Sequence, residues 1–159
     1  KYEGELAVEN LDKHFILRIS WVFGVNGNNF IKTMLRLGKE RGAVSVVNDQ
    51  VGSPTYTYDL AKLCVDMIQT DKYGIYHATN QGYTPWYDFT KEILAEQGIE
   101  CKVNPVTTEE YIEMMKITQA KRPFNSQMSK SKLLEQGINV PNWKDGLKRY
   151  LEEARKAEQ

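Results

Sequence analysis

The chain is poor in the residues that build metal centres and disulfide frameworks. Among its 159 residues are two cysteines, Cys64 and Cys101, and two histidines, His14 and His77. The cysteines have no paired spacing and no histidine cluster beside them, so we expect neither a zinc site nor a disulfide framework. With so few histidines, a Ser/His/Asp hydrolase or a metal hydrolase is also a weak hypothesis.

An excess of charge of one sign is missing as well. The 21 Lys and Arg residues balance 21 Asp and Glu residues, so no long-range field attracts nucleic acid or an anionic membrane. No stretch approaches the roughly 20 apolar residues that cross a bilayer, and the first residues do not resemble a signal peptide. We therefore expect a cytoplasmic protein without a nucleic-acid or membrane partner.

The usual cofactor-binding motifs are absent too. The chain contains no Gly-x-Gly-x-x-Gly turn, no P-loop and no Gly-x-Ser-x-Gly elbow. Gly24 and Gly27 lie between a predicted strand and a predicted helix, but their spacing does not match a dinucleotide fingerprint. What remains is an ordinary composition, 41% hydrophobic and 26% charged, which predicts one domain with a real core.

Segments of strand and helix character alternate along the chain, which predicts an α/β fold with a largely parallel sheet. The apolar run from Phe15 to Phe23 predicts a central strand, followed by a Gly- and Asn-rich loop and a helix from Phe30. Thr84 and Pro85 predict another helix start, with Thr84 as the cap. The other predictions are strands at 44–48, 74–79 and 101–106, helices at 58–69, 107–115, 129–136 and from 142, connectors at 49–55 and 121–126, and a frayed tail at 152–159. The helix at 58–69 is predicted to bury the face of Leu60, Cys64, Met67 and Ile68, and Thr107 with Glu110 is a candidate capping box for the helix at 107–115.

Two polar features could bind a phosphorylated ligand. Asn28 and Asn29 precede the helix that starts at Phe30, where free backbone amides and an Asn side chain could hold a phosphate oxygen. The alternative is that Asn29 caps the helix, and spacing alone favours that alternative. Arg122 lies in an irregular segment fixed by Pro123, which suits a bidentate contact with a diphosphate, although a solvated loop charge explains it equally well.

Five short motifs stand out as a set: KYEGE at 1–5, LRISWVFG at 17–24, NNF at 28–30, NDQVGSPT at 48–55 and RPFNS at 122–126. Together they resemble the dTDP-4-dehydrorhamnose reductase family of the extended short-chain dehydrogenases. The resemblance covers nearly the whole chain but only the C-terminal half of the family's length. It implies an NADPH-dependent reduction of dTDP-4-dehydro-L-rhamnose to dTDP-L-rhamnose, a precursor of surface polysaccharide.

Lys1 matches the lysine of the Tyr-x-x-x-Lys motif that the family carries before its Leu-Arg strand. There the phenol protonates the carbonyl as hydride arrives, and the lysine lowers the phenol pKa and binds the nicotinamide ribose. The resemblance thus implies that Lys1 is a catalytic and cofactor-binding residue, with its tyrosine upstream; the alternative is a terminal lysine without a role. Tyr58 with Lys62 and Tyr87 with Lys91 share the spacing but precede no such strand, so we interpret both as surface or packing pairs.

The resemblance also assigns the substrate side. It places Trp21, at the carboxyl end of the predicted strand, against the sugar, although a core tryptophan is the commoner fate of such a residue. With Asn28, Asn29 and Arg122 it forms the predicted substrate-binding set, while Trp86 and Trp143 are predicted core residues. Residues 1–55 are then the C-terminal part of a Rossmann-type domain with the crossover, and 56–159 mainly the small substrate-binding lobe with strands returning to the sheet.

Several expectations follow from the resemblance as a whole. The cofactor is NADPH, with NADH left open, the substrate is a dTDP-sugar, and no metal ligands are assigned. A homodimer is an alternative to a monomer. Since the tyrosine and the Gly-rich turn lie outside the sequence, the chain alone is expected to be inactive. The rival hypotheses are a non-catalytic binding or regulatory subunit and another nucleotide-sugar epimerase or dehydratase.

Overall fold

Helices and strands alternate in the structure, a computed structural model that describes residues 1–118 and 120–157. The helices are α1 (Tyr2–Glu9), α2 (Phe30–Glu40), α3 (Thr57–Ile68), α4 (Trp86–Glu96), α5 (Thr108–Met115), α6 (Ser131–Glu135) and α7 (Trp143–Ala157). The strands are β1 (Phe15–Arg18), β2 (Val22–Phe23), β3 (Ala43–Val47), β4 (Val51–Gly52), β5 (Thr55–Tyr56), β6 (Gly74–His77), β7 (Thr84–Pro85), β8 (Lys102–Val106) and β9 (Asn125–Ser126). None of the helices in these residues is long and apolar enough to cross a membrane.

Parallel strand pairs form the framework and confirm the predicted α/β class. β1 pairs with β6 and β3 pairs with β8, both in parallel, in registers that begin with Phe15 opposite Gly74 and Ala43 opposite Lys102. β2 and β5 are also parallel, while β4 pairs antiparallel with β7 and parallel with β9. Each parallel pair joins strands that are separated along the chain by at least one helix, as βα units require.

Two apolar clusters hold these elements together. The larger one packs α2, α4 and α7 around β3, with Ile31, Ile93 and Leu147 fully buried. The smaller one packs α3 and α6 on β6 through Met67 and Leu133. Because β3 is fixed by the larger cluster, the polar loop that follows it starts from a rigid base.

The predicted single strand from Phe15 to Phe23 is wrong. β1 ends at Arg18 and β2 begins at Val22, and between them Trp21 adopts a left-handed backbone conformation with φ of 47°. A positive φ breaks the strand, and it is uncommon for a bulky residue. Hydrophobicity alone could not reveal this break, because the residues on both sides are apolar.

The predicted cap at Thr84 and the two predicted connectors also need correction. Thr84 belongs to β7, where it lies opposite Gly52, and Pro85 occupies the cap position of α4 without a side-chain bond. The segment 49–55 contains β4 and the start of β5, and the segment 121–126 contains β9. Gly and Pro interrupt both segments, but the residues beside them still form paired two-residue strands.

Helix α3 is rotated from its predicted orientation. Leu63 and Met67 are buried together with Asp59, whereas Ile68, predicted on the buried face, is 69% exposed. The rotation follows from Asp59, whose carboxylate pairs with Arg149 of α7 at 2.8 Å.

The predicted fraying of 152–159 is wrong for residues 152–157. Helix α7 continues to Ala157, and Glu153 on it accepts a hydrogen bond from the Tyr56 hydroxyl. Residues 158 and 159 lie outside the described residues.

Candidate functional site

An open cavity of about 660 Å³ lies where the segment after β1, strand β3, helix α4 and the segment before β9 meet. The end of β3 contributes Ser45, Val46 and Val47. Four aromatic side chains and several polar groups complete the lining, among them Trp21, Phe30, Trp86, Tyr111, Gln50 and Arg122. Two residues of the predicted substrate-binding set, Trp21 and Arg122, therefore lie in one cavity although 100 positions separate them in the sequence.

The aromatic wall is built from stacked rings. The indole of Trp21 lies on that of Trp86, with ring centroids 3.5 Å apart and planes inclined by 11°, and Phe30 contacts Trp86 at 4.4 Å. Gly52 approaches the indole of Trp21 so closely that an added Cβ would lie 2.6 Å from Cε2 of that ring. The wall offers flat apolar surface to a sugar or a base.

The polar wall is fixed by a hydrogen-bond cluster after β3. The carboxylate of Asp49 accepts from the backbone N–H of Thr108 and, at 2.6 Å, from its hydroxyl. Gln50, which is 9% exposed, donates to the Thr108 hydroxyl oxygen at 2.9 Å. The predicted capping box of Thr107 and Glu110 is confirmed and starts α5 at this point. α5 thereby brings Tyr111 to the cavity.

Arg122 faces the cavity from the exposed segment that leads into β9. The segment is anchored where the N–H of Val51 donates to the carbonyl of Phe124 at 2.8 Å and where β9 pairs with β4. Within 1–118 and 120–157, the guanidinium of Arg122 has no hydrogen bond or ion pair. Five donors on a cation are therefore free to bind an anion.

Asn28 and Asn29 line a different, smaller concavity of about 320 Å³ between β2 and α2. Asn29 caps α2, because its side-chain oxygen accepts from the N–H of Lys32 at 3.0 Å. Its amide nitrogen donates to the carbonyl of Gly24 and to the hydroxyl of Tyr150. The capping alternative is thus confirmed for Asn29, and the structure does not bring either asparagine to the cavity of Trp21 and Arg122.

Lys1 is exposed and occupies the cap position of α1. The helix is tied to β1 by Glu5, whose carboxylate pairs with Arg18 at 2.6 Å. The hydrogen bond from the Arg18 guanidinium holds the pKa of Glu5 below its usual value. A dinucleotide needs a turn of free backbone amides after a strand. In the loop after β2, the N–H of Lys32 is already used, because it donates to the side-chain oxygen of Asn29, which caps the next helix.

Sequence reasoning missed several residues of the site. Trp86 was predicted in the core, as was Trp143; Trp143 is buried, but Trp86 is half-buried and faces the cavity. Tyr111 gave no signal beyond helical periodicity, and Phe30 stood out only as part of the motif NNF at 28–30. The described residues hold no group of three or more His, Cys, Asp or Glu side chains placed to bind a metal ion.

Lys130 is a buried cation next to the site that sequence reasoning did not identify. It is 7% exposed, its ammonium donates to the hydroxyl of Ser53 at 3.1 Å, and it lies 4.1 Å from the ring centre of Tyr83. Burial lowers the pKa of Lys130 to about 8. The backbone carbonyl of Ser53 in turn accepts from Ser20, which lines the cavity.

The fold and this cavity define an α/β ligand-binding domain, and comparison with known proteins identifies the family. A family model described as RmlD substrate binding domain matches residues 1–156. The chain therefore belongs to the RmlD substrate-binding domain family, which confirms the resemblance stated above.

Individual relatives carry more specific names. The chain is 42% identical over 162 residues to a dTDP-4-dehydrorhamnose reductase of Aggregatibacter actinomycetemcomitans, covering 93% of this chain and 53% of the relative. It is 41% identical over 138 residues to the spore coat polysaccharide biosynthesis protein SpsK of Bacillus subtilis, covering 87% of this chain and 47% of that protein.

A solved structure is similar over the same span. The dTDP-4-dehydrorhamnose reductase of Bacillus anthracis in complex with NADP superposes with a TM-score of 0.87 at 44% identity, covering 96% of this chain and 53% of that one. The chain thus spans about half the length of the relatives it matches.

Proposed function

We propose that the chain is the substrate-binding half of an NADPH-dependent reductase that converts dTDP-4-dehydro-L-rhamnose to dTDP-L-rhamnose. One observation carries the proposal: Trp21, which the resemblance places against the sugar, and Arg122, whose segment suits a diphosphate contact, line the same cavity. The names of the relatives agree with this reaction.

The cavity's chemistry suits a nucleotide sugar. The indole of Trp21, which is stacked on that of Trp86, provides a flat surface against which a pyranose or a thymine ring can pack. Arg122, free of internal partners among the described residues, supplies the charge for a diphosphate. Gln50 and Tyr111 add polar groups for hydroxyls or base edges.

We further propose that residues 1–55 belong to a Rossmann-type domain shared with another part of the protein, and that 56–159 form mainly the substrate lobe. Support comes from α1, none of whose residues is buried and on which Tyr2 and Leu6 are 64% and 44% exposed. Among the described strands, β1 pairs only with β6, which leaves its other edge free. A free edge and an apolar helix face are the features of an element that packs against further structure.

The cofactor proposal depends on the other part of the protein with which residues 1–55 would share the Rossmann-type domain. When bound, NADPH would supply the hydride, and the chain's own contribution is the exposed ammonium of Lys1, which would bind the ribose and lower the pKa of a neighbouring phenol. The sequence contains no Gly-x-Gly-x-x-Gly turn to hold the pyrophosphate. We therefore expect the chain by itself to bind the sugar nucleotide and to transfer no hydride.

Calorimetry of the chain with dTDP-L-rhamnose tests the substrate proposal. Saturable binding by the wild type, lost when Trp21 and Arg122 are both replaced, is the expected result. Tyr58→Phe provides the control, because Tyr58 is exposed on α3 and does not line the cavity. Binding that survives the loss of both residues would refute the assignment of the cavity.

A second assay tests the reaction. A protein with an upstream half like that of the relatives should oxidise NADPH in the presence of dTDP-4-dehydro-L-rhamnose, and the chain alone should not. Turnover by the chain alone would contradict the proposed division of labour, and an epimerised product would favour the epimerase hypothesis. The cytoplasmic location and the homodimer stay predictions; sedimentation tests the latter.

A further inference from the structure

The ring of Trp21 is held by residues that lie far from it in the sequence. Its left-handed backbone, with φ of 47°, directs the side chain onto Trp86, and the two indoles stack at 3.5 Å. Phe30 contacts the ring of Trp86, so the stack is supported from the helix α2. The orientation of Trp21 therefore depends on the position of Trp86.

Gly52 contacts the same ring at another place. An added Cβ there would lie 2.6 Å from Cε2 and 2.9 Å from Cζ2 of Trp21, closer than carbon atoms approach without displacement. The backbone of Gly52 is fixed by its pairing with Thr84 in β7 and with Ser126 in β9. Since Thr84 precedes Trp86 by two residues, the pairing of β4 with β7 sets both contacts of Trp21 at once.

We propose that Trp86 and Gly52 are positioning residues that act on the ligand through Trp21; this inference rests on the proposed function. A ring that is already immobilised loses less side-chain freedom when a ligand packs against it, which improves affinity. Trp86 itself supplies stacking area to Trp21, and Gly52 leaves the space that the ring needs. Replacing Trp86 by Leu removes the stacking partner of Trp21, and replacing Gly52 by Ala displaces the Trp21 ring, while the Trp21 side chain itself remains present.

A double-mutant cycle measured by calorimetry with dTDP-L-rhamnose tests the inference. Trp86→Leu should weaken binding about two- to twelvefold, the range that an aromatic pair contributes. In a Trp21→Leu background the same change should have no further effect, because the group through which Trp86 acts is gone. Trp86→Phe should restore most of the affinity, and Tyr87→Leu, next to it on α4 but outside the cavity lining, serves as the matched control.

The indole N–H resonances report the positioning without any ligand. The chain has three tryptophans, so the resonance of Trp21 can be assigned from Trp21→Leu. We expect Trp86→Leu and Gly52→Ala each to shift that resonance, since both alter the stacked geometry, while Tyr87→Leu leaves it in place. A preserved Trp143 resonance shows that each variant is folded.

The outcomes separate the two proposals. If Trp86→Leu leaves affinity unchanged, or weakens binding by the same factor with and without Trp21, or if the Trp21 resonance does not move, the inference is overturned and the proposed function stands. If the wild type does not bind dTDP-L-rhamnose, the proposed function is overturned and the inference with it.

Discussion

Replacing Arg122 by Ala should weaken the binding of dTDP-sugars about tenfold. A charge-assisted hydrogen bond contributes about 1.5 to 3 kcal/mol, or roughly 10- to 150-fold in affinity, and exposure of Arg122 to solvent places it at the lower end. Among the described residues Arg122 binds no other group, so its loss breaks no internal contact. The free energy of unfolding should therefore change by less than about 0.5 kcal/mol.

Calorimetry with dTDP and with thymidine isolates the phosphate contact. Arg122→Ala should weaken dTDP binding and leave thymidine binding unchanged. The dTDP affinity of Arg122→Lys should lie between those of the wild type and the Ala variant, since Lys keeps the charge but not the planar guanidinium. Added salt should weaken dTDP binding by the wild type more than dTDP binding by the Ala variant. Lys121→Ala is the matched control, as it removes a neighbouring exposed charge that does not line the cavity. An equal loss for dTDP and thymidine, or a similar loss in Lys121→Ala, would refute the reasoning.

Three further predictions concern stability. Asn80→Ala should cost about 2 to 3 kcal/mol in denaturant unfolding, because the fully buried Asn80 accepts from the N–H of Tyr56 and donates to Asp59; a cost below about 0.5 kcal/mol would contradict this. Since burial lowers the pKa of Lys130 to about 8, the unfolded chain keeps that proton to higher pH, so stability should rise between about pH 8 and 10.5 by up to about 3 kcal/mol. Lys130→Met should flatten that rise, and an unchanged pH profile would show that Lys130 does not cause it. Thr107→Ala should cost about 1 kcal/mol through loss of the α5 cap, and an unchanged melting temperature would contradict the capping role.

Local sequence patterns were sufficient for much of the fold. The apolar run at β3, the periodicity of α2 and the capping box at Thr107 are signals between near neighbours, and each of these predictions was confirmed. Trp21 and Arg122 could be proposed for one substrate because the resemblance placed Trp21 against the sugar and the Pro-fixed segment of Arg122 suited a diphosphate. Their meeting in one cavity then follows from the pairing of β4 with β9.

The missed features depend on contacts between distant residues. Asp59 is buried because Arg149, 90 positions away, neutralises it, and no periodicity predicts a buried carboxylate. Trp86 faces the cavity because two-residue strands bring it onto Trp21, and such short strands carry no pattern. The break in the predicted strand lies at Trp21, which combines a left-handed backbone with a ring stacked on the distant Trp86, a contact that hydrophobicity does not predict.

The most direct measurement is a crystal structure of the chain with dTDP-L-rhamnose bound. We predict that the diphosphate lies within hydrogen-bond distance of the Arg122 guanidinium and that a ring of the ligand packs against Trp21. A ligand seated in the smaller concavity beside Asn28, away from both residues, would contradict the account.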